Sequence, residues 1–171
     1  MTLRRSLDAL YAGAGVLAAL GMVGTLAMVL LGIAGRLLHF HVPGTDAYAG
    51  YSMAGAGFLA LAYTFKRGEH IRVSLLIEHS GPKAKRALEL WSLGVATLLA
   101  GLFAVYGVRL AWQSWQFNDI STGNDATPLW LPQLGMAVGT VVLLVAVADE
   151  FLREIRGRRS VAAPIEAAHN E

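Results

Sequence analysis

The chain has 171 residues, of which 55% are hydrophobic and 15% charged, with a mean hydropathy of +0.50 and a formal charge of only +2. Soluble domains carry roughly 25% charged residues, and a chain this short has too little interior to hide several long apolar runs. The near-balanced charge points away from a nucleic-acid binder, and the absence of cysteine excludes structural disulfides, thiolate metal sites and cysteine-ligated haem or iron–sulfur groups.

Arg4 and Arg5 precede the first apolar run, residues 9–35, which holds no Asp, Glu, Lys, Arg or His. Crossing about 30 Å of hydrocarbon takes about 20 helical residues, so this run is long enough to span. A cleaved signal peptide would have an apolar core of only about 7–15 residues. Arg36 closes the run, and residues 39–46 (HFHVPGTD) form a short connection in which Pro43–Gly44 signals a turn. His39 and His41 stand two residues apart there, a weak pattern for a metal site.

The second uncharged run is 47–65. Residues 66–89 follow, with charged and apolar residues interleaved. Val73, Leu76 and Ile77 share one helical face while Arg72 and Glu78 lie off it, which predicts a short amphipathic helix in the headgroup layer. Ile71, Val73 and Leu75 also fit a period of two. Gly81–Pro82 breaks the segment before the third run, 90–108. Trp112, Trp115 and Trp130 bracket the next connection, as expected of interfacial anchors, and Pro128 and Pro132 sit where a helix can begin. The fourth run is 126–148, and the polar tail 157–171 is expected to be disordered.

Backbone polar groups in lipid must pair within their own segment or in a closed barrel. The runs are apolar on every face and lack the period-two alternation of barrel strands. An all-α integral membrane protein is therefore predicted. It has four transmembrane helices and a short interfacial amphipathic segment between the second and third, all within one domain, residues 1–156. Twelve of the 14 basic residues fall at the N-terminus, in the connection after the second run, or at the C-terminal end. The positive-inside rule then places both termini in the cytoplasm.

Small residues mark helix-packing faces. Gly135 and Gly139 make a GxxxG pair in the fourth run, and Gly50, Ala54 and Gly57 line one face of the second. Either docking to a partner subunit or packing within the set accounts for them. Ionisable residues at mid-membrane depth mark transport paths, and these runs have none. Arg36, Asp46, Arg109, Asp149 and Glu150 sit at run ends, where anchoring and pairing are expected. No HExxH set, catalytic triad or phosphate loop is present, so neither an enzyme nor a cofactor is predicted. The lack of a transport path points to an accessory subunit.

More specific than composition is the series Arg36, Pro43–Gly44–Thr45–Asp46 and, after the second run, Arg67–Gly68–Glu69–His70–Ile71–Arg72–Val73. Over roughly residues 4–153 the layout and these motifs resemble the DctQ-like family, the small membrane subunit of tripartite ATP-independent periplasmic (TRAP) transporters. The resemblance implies a stable complex with a large TRAP membrane subunit that holds the substrate and sodium sites. It also implies transient contact with a periplasmic substrate-binding protein that delivers an organic acid, and residence in the bacterial inner membrane. The small subunit then acts as a scaffold. Arg36, Gly44, Asp46, Arg67, Gly68, His70, Arg72, Gly135 and Gly139 are the candidate motif or partner-contact residues. The membrane-anchor subunit of a redox complex is the alternative.

Overall fold

The computed structural model describes residues 2–40, 42–67 and 81–157. Four helices make up nearly all of it: α1 (Thr2–Leu37), α2 (Thr45–Arg67), α3 (Pro82–Gln116) and α4 (Trp130–Ile155). The sole β feature among the described residues is an isolated bridge between Ile120 and Pro128. The amphipathic segment expected after α2 and the C-terminal tail lie outside the described residues, except that 82–89 is the first part of α3.

Each helix stops where local chemistry requires it. His39 at the end of α1 has φ 58°, and the Phe40 amide donates to the Gly35 carbonyl at 3.0 Å, satisfying an orphan acceptor. Gly81 and Pro82 open α3, since proline lacks the N–H that the first turn would leave unpaired. The α3 helix does not end where its apolar run closes at Arg109. No breaker follows until Asn118, at φ 51°, so α3 continues through Trp112 and Trp115. Residues 126–129, counted in the fourth run, precede α4, and Ala126 itself has φ 46°.

The helices pack as an open row in the order α1–α2–α4–α3. Helices α1 and α4 touch slightly, and the backbones of α1 and α3 do not approach each other. Edge position explains exposure: 6% of the most apolar stretch of α1 is buried, against 33% for α4. The row is held by small side chains. Ten of the fourteen buried hydrophobic residues described are alanines, whereas Val16, Leu20, Val23 and Leu26 of α1 and Leu98, Leu99 and Val105 of α3 point outward. Small-inside, large-outside is the arrangement expected where lipid tails are as apolar as leucine and close backbone approach supplies the attraction.

Three helices are long and apolar enough to cross a membrane: Arg4–Leu37, Ala84–Gln116 and Trp130–Ile155. Helix α2 has sufficient length, 23 residues, but glycine, tyrosine and hydroxyl side chains take the place of leucine. It lies between α1 and α4, so much of its surface meets protein. On α3, exposed Trp91 and exposed Trp112 stand about 32 Å apart along the axis at 1.5 Å per residue. That spacing matches the ~30 Å hydrocarbon layer bounded by two aromatic belts.

Candidate functional site

At the end of the row that carries the α1–α2 and α3–α4 connections, two loops dock. Gly44 has φ 79°, and a Cβ there would stand 2.7 Å from the Asp125 Cβ. Glycine is needed both for the backbone and for the close approach. Asp125 accepts hydrogen bonds from the Tyr51 hydroxyl at 3.0 Å and the Ser121 hydroxyl at 2.9 Å, while the Thr127 and Tyr48 hydroxyls pair at 3.3 Å. Two tyrosines of α2 thus tie down the α3–α4 loop. Arg36 and Asp46 approach to 3.8 Å, but both side chains are at least 80% exposed, so the pair adds little stability. Arg36, Gly44 and Asp46, apart in sequence, come together with His39 on the wall of one cleft of about 490 Å³. His41 lies outside the described residues.

Hydrogen bonds, first from Thr127 and then from Ser121 and Tyr51, hold the Asp125 carboxyl down at about 2, below its ordinary 3.8. The sign follows directly. The unfolded chain takes up the proton more readily, so the tether contributes fully above pH ~4 and is lost as the pH falls toward ~2. Acid digestion checks this. The 118–129 loop should resist pepsin down to about pH 2–3, and Tyr51→Phe, which removes one donor, should move the onset of cleavage to higher pH. An unchanged onset would show that Tyr51 does not hold the loop.

At the opposite end, Lys66 of α2 donates to Asp149 Oδ2 of α4 at 2.7 Å and lies 3.9 Å from Glu150 Oε2. Arg153 closes on the same two carboxylates at 3.0 and 3.8 Å. The Lys66 ammonium also lies 5.4 Å from the ring centroid of Tyr11 in α1, so one cation joins three helices. Beside it Arg67 stacks on Tyr63 at 4.8 Å. Gly68, His70 and Arg72 lie outside the described residues.

Gly135 and Gly139 face α2. A Cβ on Gly135 would stand 3.0 Å from Gly55 Cα, and one on Gly139 would stand 2.6 Å from the Phe58 carbonyl. Their surface is taken up by packing within the row. Gly50 and Gly57 have nothing within 4 Å of a built Cβ. No group of three His, Asp or Glu side chains among the described residues is placed to hold a metal. Sequence reasoning missed both the Asp125 tether and the Lys66–Asp149 join. The available signal was opposite charges at matching ends of the second and fourth runs, but nothing in the sequence made those runs neighbours.

Residues 25–157 match the family model for the DctQ component of tripartite ATP-independent periplasmic transporters. The chain belongs to this family. No curated protein and no solved structure matches it. A DctQ component is the small membrane subunit of a tripartite system that also contains a large membrane subunit and a periplasmic binding protein. The matched region begins within α1 and runs two residues past α4, so it contains both docked loops and the Lys66–Asp149 join. Membership makes this chain a transporter component with a multi-pass place in the inner membrane, and the redox-anchor alternative is not favoured.

Proposed function

We propose that this DctQ-family chain is a fixed frame for the large subunit of its transporter, in sodium-coupled uptake of an organic acid delivered by the binding protein. The observation that carries the reading is the family match over residues 25–157 together with four apolar runs free of ionisable side chains. A chain with no polar path of its own has no means to move a charged substrate through the bilayer. An open row with large apolar residues along both edge helices offers two long apolar flanks for a partner.

In this reading residues 1–156 form one membrane domain in which α2 crosses as well. Both termini lie in the cytoplasm, with the Lys66–Asp149 end inside and the Arg36–Asp46 end outside. Twelve of 14 basic residues then face the cytoplasm. Arg36, Gly44 and Asp46 shape the outer rim near the binding protein. Arg67, Gly68, His70 and Arg72 place the inner connection against headgroups or the large subunit.

Deletion and labelling test it together. Cells lacking this chain should lose sodium-driven uptake of the cognate acid, and the tagged chain should co-purify with a larger polytopic protein. The chain has no cysteine, so Asn124→Cys and Ser6→Cys provide clean probes. An impermeant thiol reagent added to intact cells should reach the first and not the second. Full uptake without the chain would overturn the frame. Labelling of both positions, or of Ser6→Cys alone, would overturn the topology.

A further inference from the structure

The inner ends of α1, α2 and α4 enclose a cleft of about 330 Å³ whose walls include Arg4, Tyr11, Tyr63, Lys66, Arg67 and Arg153, with Asp8 the one carboxylate among the lining residues. Lys66 and Arg153 are already neutralised by Asp149 and Glu150. Arg4 and Arg67 form no ion pair among the described residues. The Arg67 guanidinium lies over the Tyr63 ring, 4.8 Å from its centroid, a contact that restrains the side chain and lowers the cost of forming paired hydrogen bonds. Tyr11, on the same wall, is 3% exposed, and its buried hydroxyl has no hydrogen-bond partner among the described residues. A buried donor left unmatched is costly, and an acceptor brought into the cleft would relieve it.

We propose that this cleft binds a phosphate group, that of an anionic phospholipid headgroup. Arg4 and Arg67 pair with the phosphate oxygens, and the Tyr11 hydroxyl donates to an oxygen of the headgroup. The depth selects lipid over a free anion: the cleft lies where apolar helices end, beside the exposed leucines and valines of α1. Basic pockets between helices at this level are suited to anionic headgroups. A zwitterionic headgroup fits less well, because its own cation would enter a site that already holds four. The inference rests on the chain lying in a bilayer and not on its part in transport, so its failure would leave the uptake test untouched.

Native mass spectrometry of the full chain, released from mixed micelles of phosphatidylglycerol and phosphatidylcholine, tests it. Phosphatidylglycerol should be retained about tenfold over phosphatidylcholine, and Arg4→Gln with Arg67→Gln should remove most of that preference. Arg109→Gln, which lies outside the lining, should leave it unchanged. Tyr11→Phe should weaken retention without abolishing it. Each arginine variant alone should show part of the loss, which keeps the test decisive if the double variant does not fold. Equal retention of the two lipids, or full retention by the folded arginine variants, would overturn the proposal. So would inorganic phosphate displacing phosphatidylglycerol at millimolar concentration, since that would mark a site for a free anion.

Discussion

Gly139→Ala should destabilise the chain by about 1–3 kcal/mol, and Gly139→Leu should prevent a monodisperse fold. The Cβ added by alanine would stand 2.6 Å from the carbonyl carbon and oxygen of Phe58 and 2.8 Å from its Cβ. Two of those atoms are backbone of α2, which cannot rotate away, so α2 and α4 must separate. That contact is the seam of the row, because α2 carries α1 on its far side and α4 carries α3. Opening it would split the structure into two helix pairs. Gly135, next on the same seam with Gly55 Cα at 3.0 Å, has slightly more room, so its alanine variant should lose less. Gly57, with open space around it, is the control and should be unaffected by alanine. Thermal unfolding in detergent reads the series. Indistinguishable melting of the Gly139 and Gly57 variants would mean that the seam is not packed as described.

Asp149→Asn should cost more than Lys66→Gln, by thermal unfolding of the same preparation. Asp149 has Lys66 at 2.7 Å and Arg153 at 3.0 Å, whereas Glu150 stands 3.9 and 3.8 Å from those cations. With Lys66 gone, Arg153 still neutralises Asp149. With Asp149 gone, two cations about four-fifths shielded from solvent share one distant carboxylate. Breaking a wholly buried pair costs roughly 3–5 kcal/mol, and the residual exposure here brings the expectation to roughly 1–3 kcal/mol. Replacing both members with apolar residues, Lys66→Met with Asp149→Leu, should be milder than Asp149→Asn alone, because no charge is then left stranded. A double variant weaker than the Asp149 single would show that the pair contributes attraction beyond its own desolvation.

The two variants probe different kinds of information. Gly139 was visible as half of a GxxxG pair, and its small size marked it as a packing residue. The identity of its partner was not visible, since a partner subunit and a neighbouring helix ask for the same residue. Lys66 reads in the sequence as one of several cations in a basic connection. Only the adjacency of α2 and α4 turns it into the partner of Asp149. Arg109 closes an apolar run but not a helix, because a charge terminates the first without terminating the second. The α3 helix ends seven residues later, at Gln116, just before the positive φ of Asn118.

The sequence by itself determined that the chain is helical and apolar, where each helix runs to within several residues, and which ends gather positive charge. Those properties follow from transfer free energies and backbone sterics, which act residue by residue. Tertiary structure alone decided the order α1–α2–α4–α3, the inward turn of the alanines, the docking of Gly44 on Asp125 and the join through Lys66. In water a helix advertises its buried face by its apolar stripe. In lipid both faces are apolar, so the stripe carries no direction, and shape and pairing between distant segments choose the neighbours.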